Sequence, residues 1–103
     1  MLKKYIKEEV LLSNIQDTLQ ERGNRYGEFK DHAHITQAIK DIFTGKVSGC
    51  ATNWQYLSDP HKESLEMIAH KIGRILNGDP NYKDSWHDIS GYAKLAEEEC
   101  IEK

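Results

Sequence analysis

Apolar residues along this chain recur every three or four positions, the spacing of one face of a helix, and no stretch alternates in the way a strand would. Ile6, Val10, Leu11, Ile15 and Leu19 predict a helix over residues 3–22, which Gly23-Asn24 can end because Gly accepts the left-handed cap conformation. Ile35, Ile39, Ile42 and Phe43 predict a second over 28–44, closed by Gly45-Lys46-Val47-Ser48-Gly49, the longest loop candidate. A third starts at Asp59-Pro60, where Asp can cap free N–H groups and Pro is tolerated in the first turn. Leu65, Ile68, Ala69, Ile72, Ile75 and Leu76 form its apolar face, and Asn77-Gly78-Asp79-Pro80 turns the chain. The fourth covers 81–100, with Trp86, Ile89, Ala93 and Ala96 on one side. Short connections make successive helices antiparallel neighbours, so the expected architecture is an all-α, four-helix bundle-like single domain over residues 1–103.

The polar stripes of the last two helices carry the candidate chemistry. At about 100° per residue, Glu63, Glu66, His70 and Arg74 share one stripe of the third helix, opposite Leu65, Ile68 and Ile72, with Lys71 beside it. On the fourth helix Asp84, Asp88 and Gly91 stack on one side. Carboxylates on facing helices suit Mg²⁺, which prefers oxygen ligands and is held through a few carboxylates plus substrate phosphate. Lys71 and Arg74 could neutralise that phosphate, Arg by a two-pronged contact, and a metal-bound water could attack phosphorus. The same residues admit a plainer reading. The Glu63–Arg74 stripe can be a solvated face, Asp84 can cap the fourth helix, and Asp88 can favour the positive helix end. Lys71, Arg74, Asp84 and Asp88 can equally form an ion-pair network that fixes helix packing. Between the first two helices, Arg22-Gly23-Asn24-Arg25-Tyr26-Gly27-Glu28-Phe29 surrounds an aromatic with glycines and arginines. Tyr26 could stack on a base while Arg22 or Arg25 meets phosphate, or Tyr26 and Phe29 could plug the end of the bundle.

Composition narrows the classes. Hydrophobic residues at 38% and charged residues at 30% describe a folded chain, not a disordered one. The net charge of −3, with basic residues scattered, argues against a dedicated nucleic-acid surface. No apolar run reaches the roughly 18–20 residues of a membrane span, and the charged start is unlike a secretory signal. Cys50 and Cys100 are isolated, which suits a reducing compartment, so a cytoplasmic location is expected. His32 and His34 point to different sides of a helix, His70 and His87 lie on adjacent helices, and no zinc-finger spacing occurs. A Walker-type phosphate loop is absent. With 103 residues the core is marginal, and self-association would help it.

Three blocks point further: Arg25-Tyr26-Gly27-x-Phe29, Met67-Ile68-x-x-Lys71-Ile72-x-Arg74, and Asp84-Ser85-Trp86-x-Asp88-Ile89-x-Gly91-Tyr92-Ala93. Together they resemble a family of small phage and prophage proteins of unknown function, over most of residues 22–95. A more distant similarity is to MazG-like all-α nucleoside triphosphate pyrophosphohydrolases, which pair a Glu-x-x-Glu helix with a Glu-x-x-Asp helix around Mg²⁺ and work as dimers or tetramers. Glu63-x-x-Glu66 fits the first motif, whereas Asp84-x-x-x-Asp88 departs from the second by one residue and by Asp for Glu. The resemblance implies a MazG-like fold and a homodimer or homotetramer in the host cytoplasm. It also implies Mg²⁺ on Glu63, Glu66, Asp84 and Asp88, the two Asp being the catalytic pair, with a nucleotide met by Lys71, Arg74 and Tyr26. The competing expectation is a non-catalytic helical interaction module whose Lys/Arg/Asp cluster is structural.

Overall fold

In the computed structural model the chain forms four α-helices, α1 (Leu2–Tyr26), α2 (Phe29–Phe43), α3 (Asp59–Asn77) and α4 (Lys83–Glu98), with one short 3-10 turn at Trp54–Tyr56. The structure describes residues 2–47 and 49–102, with side chains from Asn14 onward. The predicted contributions of Ile6, Val10 and Leu11 to α1, and of Ser48 to the loop, lie outside that description. No strand occurs, and no helix is long and apolar enough to cross a membrane, among the described residues.

Two helix ends differ from the pattern-based reading. α1 runs through Gly23 and stops at Gly27, whose φ of 76° takes it into the left-handed region. The reason is tertiary. At Gly27 a β-carbon would collide with Asn77, and at Gly78 with the backbone of Arg25 and Tyr26. Two glycines therefore let the C-terminal ends of α1 and α3 touch backbone to backbone. Asn77 Nδ2 donates to the Tyr26 and Glu28 carbonyls (2.8 and 2.9 Å), and Asp79 N donates to Arg25 O (2.6 Å). At the other end of α3 the cap is Ser58, not Asp59. Its hydroxyl accepts from His61 N and pairs with His61 Nδ1, which leaves Asp59 and Pro60 in the first turn.

α3 is the central element. α2 lies along one side, where the buried Gly73 meets Thr36 and His70 meets His32. α4 lies on the opposite side, where Lys71 Nζ is 2.9 Å from Asp88 Oδ2 and His61 Nε2 donates to Ala96 O at 3.0 Å. The end of α1 covers the polar flank carrying Arg74. Leu65, Ile72 and Leu76 face the remaining flank, which is left open among the described residues: Leu65 and Leu76 are exposed and Ile72 is half-buried.

The expected four helices are present, but they do not close into a bundle around one core. α2, α3 and α4 make a single layer, and among the described residues Ala69 alone is a buried apolar side chain. From Asn14 to Asn24 every residue of α1 is exposed, so that helix meets the layer through its C-terminal end. The radius of gyration, 18.3 Å, is well above the roughly 13 Å of a close-packed chain of this length.

Candidate functional site

The junction of α1, α2 and α3 holds a cavity of about 400 Å³ lined by Leu19, Arg22, Gly23, Tyr26, Gly27, Glu28, Phe29, His32, His70 and Arg74. Each side chain is there for a local reason. Tyr26 is the last residue of α1, and its carbonyl is held by Asn77. Arg74 comes from the last turns of α3 and lays its guanidinium over the Tyr26 ring, 4.2 Å from the centroid, a cation–π contact. Phe29 opens α2 and stacks on His32 one turn later, with centroids 6.0 Å apart, while remaining 78% exposed. It therefore does not plug a bundle end; it is an uncovered aromatic at the cavity mouth.

His32 and His70 meet across the α2–α3 interface with Nε2 and Nδ1 3.3 Å apart. One ring must donate and the other accept, so the contact is a hydrogen bond only while a nitrogen stays unprotonated. Burial, and then the positive charge of Arg74, lower the pKa of His32. His70 is lowered to about 4, by burial first and then by Arg74, His32, Lys71 and Lys40. Both rings are thus neutral at pH 7. The cavity presents two arginines, two neutral imidazoles and two aromatic rings against one carboxylate, Glu28.

A second polar chain runs beside it. Arg25 Nη1 donates to the Tyr82 hydroxyl at 2.8 Å while its guanidinium sits 4.6 Å from that ring's centroid, and Glu21 pairs with Arg25 at 2.7 Å. The Tyr82 hydroxyl donates to Asp84 Oδ2 at 2.9 Å, and that hydrogen bond is the main reason its pKa is raised.

The residues singled out from sequence divide among separate places. Tyr26 and Arg74 come together in the cavity. Lys71 and Asp88 come together as an ion pair between α3 and α4, with Lys71 12% and Asp88 41% exposed, and the hydrogen bond from Lys71 holds the Asp88 carboxyl below its ordinary range. Asp84 lies in the first turn of α4, not at its N-cap, which is Tyr82, and accepts from the Tyr82 hydroxyl. Glu63 is exposed and Glu66 half-buried on α3. Among the described residues no group of three or more His, Cys, Asp or Glu side chains is placed to hold a metal ion; Asp88 is paired with Lys71 and Asp84 with Tyr82. His87 is exposed on α4, apart from the His32–His70 pair. Sequence reading missed that pair, the Tyr82 relay and the Asn77 clamp. The only signal was that His70 shares the stripe of Arg74 on α3.

The fold and site thus define a small helical protein with a basic, aromatic cavity at the meeting of three helices. Residues 9–100 match the model of a family described as a domain of unknown function, DUF6378, and the chain belongs to that family. No curated protein and no protein of solved structure is significantly similar to it.

Proposed function

We propose that this chain binds a small anionic ligand with a flat aromatic part, of the nucleotide class, in the cavity between α1, α2 and α3. The observation that carries the reading is the Arg74–Tyr26 stack set beside neutral His70 and His32 in a concave site of about 400 Å³. A volume of a few hundred cubic ångströms is the ordinary size of a small-molecule site. Arg22 and Arg74 supply charge for a phosphate and a planar fork to grip it. Phe29, uncovered at the mouth, offers a face on which a base can stack. The resemblance to phage proteins and MazG-like enzymes adds nucleotides, phage nucleotide metabolism and a homo-oligomeric state to this reading.

Among the described residues one chain gathers no group of three or more His, Cys, Asp or Glu side chains for a metal ion, so the reading is one of binding. The Lys71–Asp88 pair favours the structural alternative for that part of the cluster, as a clamp between α3 and α4. The test is isothermal calorimetry with a panel of nucleoside mono-, di- and triphosphates at neutral pH, with pyrophosphate release assayed in parallel with Mg²⁺. Binding that Arg74→Ala weakens at least tenfold, with the helical circular dichroism intact, is expected. No heat with any nucleotide, or binding that Arg74→Ala and Tyr26→Leu leave unchanged, refutes the assignment.

A further inference from the structure

The uncovered side of the helix layer carries an argument that is independent of the cavity. On α3, Leu65, Ile72 and Leu76 lie within a narrow arc, at about 100° per residue. The two contacts of α3 fix where that arc points. Lys71–Asp88 marks the α1-facing edge of the α3–α4 seam, and His70–His32 marks the α1-facing edge of the α2–α3 seam. The Leu65–Leu76 arc is on the opposite side of both. Helical spacing then puts Ile39 and Ile42 of α2 and Trp86 of α4 on that same side. Ile42, Leu76 and Trp86 are each more than half exposed. Three adjacent helices thus present their apolar stripes in one plane, away from α1 and from the cavity. A contiguous apolar face of this kind marks an interaction surface.

We infer that this face is the interface of a homodimer, in which two copies of the α2–α3–α4 layer pack face to face. Area favours a second copy. The chain exposes 8319 Å², whereas a folded monomer of 11.9 kDa exposes about 6,000 Å² by the surface scaling law. The excess, roughly 2,300 Å², is of the size that an obligate dimer subunit covers, about 1,000–2,500 Å². Part of it lies on α1, and the layer face needs only about half. Folding favours a copy as well. Among the described residues one buried apolar side chain is no core, so the cover must be present whenever the chain folds, and another copy of the chain always is. Stacking two helix layers produces the two-layer architecture that ordinary domains reach within one chain. Leu19 of α1 does not compete for this role, because it lines the cavity on the opposite side.

Sedimentation equilibrium of the whole chain at about 1–50 µM tests the proposal. The expected mass is twice 11.9 kDa, and the urea midpoint rises with protein concentration, as mass action requires when folding and dimerisation are coupled. Ile42→Glu with Leu76→Glu is expected to halve the mass. Because those charges could also unfold a chain that depends on its partner, Leu76→Ala is the second variant. It should raise the dimer dissociation constant at least tenfold while keeping the helical circular dichroism at the top concentration. Leu19→Glu and Phe29→Glu, on the cavity side, should leave the dimer intact. A monomer with a concentration-independent midpoint overturns the inference and assigns the face to a different partner or to none. A dimer that dissociates with Leu19→Glu yet tolerates Ile42→Glu, Leu76→Glu and Leu76→Ala overturns it in favour of association through α1. Nucleotide binding plays no part in these readouts, so the two proposals fail separately.

Discussion

The His32–His70 contact makes the stability of this protein depend on pH in a defined window. In the unfolded chain a histidine takes up its proton near pH 6.5. In the fold His70 resists until about pH 4, because it is partly buried and faces Arg74, Lys71, Lys40 and His32, and His32 is lowered by burial and by Arg74. The groups nearby include one carboxylate, Glu28, in the cavity lining. Between these limits the unfolded state holds more protons than the folded state, so stability falls as pH falls. The contribution is fully present above about pH 6.5, declines through pH 5 and is gone below about pH 4. For a wholly shielded ring, a displacement from 6.5 to about 4 would correspond to about 3 kcal/mol. Water reaches part of His70, so screening reduces the expected loss to about 1–2 kcal/mol. Urea unfolding at pH 7, 6 and 5 measures it, with the single-chain or dimeric equation chosen from the mass. His70→Asn places an amide near the Nδ1 position without a titrating group, and should flatten the profile in that window. Equal stability at pH 7 and pH 5, or an NMR titration in which His70 protonates near its ordinary value, would refute this linkage.

Four further outcomes are expected. Gly78→Ala should cost about 2–3 kcal/mol in urea unfolding, because the added methyl meets the Arg25 carbonyl, which cannot step aside without parting α1 from α3. Gly91→Ala should instead stabilise by about 0.5–1 kcal/mol, since the position is inside α4 and its β-carbon meets nothing within 4 Å. In Lys71→Met the Asp88 carboxyl should titrate higher than in the parent by NMR. The variant's stability deficit at neutral pH should close as pH falls below the ordinary 3.8, because a lowered carboxyl pKa stabilises only while the carboxylate is charged. Anionic ligands should bind more tightly at pH 5.5 than at pH 7.5 and take up protons, because burial and then nearby positive charges lower the pKa of His70, and a phosphate beside it offsets those charges; calorimetry in buffers of different ionisation enthalpy reads this directly.

The elements were legible because each helix carries its own apolar period and its own stop signal. The stripes Ile35–Ile42 on α2 and Leu65–Leu76 on α3 fall as the spacing predicts. What period does not encode is which face is turned toward a neighbour. An amphipathic pattern was read as apolar-in, whereas α3 places His70 and Arg74 against α2 and α1 and leaves Leu76 open. The end of α1 was misjudged for a similar reason. Gly23 and Gly27 are equally good terminators locally, and only the approach of Asn77 distinguishes them. Of the candidate site, Lys71 with Asp88 and Tyr26 with Arg74 are pairs whose members were both singled out from the sequence. The His32–His70 pair was not, because two histidines 38 positions apart on different helices leave no spacing signature.

These two facts about α3 explain each other. A helix layer one helix thick has two faces, and in this chain the face that carries His70 and Arg74 is closed by the end of α1, which is what makes a cavity there. Closing it with α1 uses up the one helix that could have covered Leu65, Ile42 and Trp86 from within the chain. A single copy can therefore have an enclosed polar site or a buried apolar core, but four helices do not suffice for both. In the proposed dimer, the energy that holds the layer flat enough to keep His32 on His70 and Tyr26 under Arg74 would come from outside the single chain. Packing of Ile42, Leu65, Leu76 and Trp86 against a second copy would supply it at about 25 cal/mol for each square ångström of apolar surface removed from water. On this argument a charge placed on the Leu76 face would loosen the cavity on the other side of the layer without touching it.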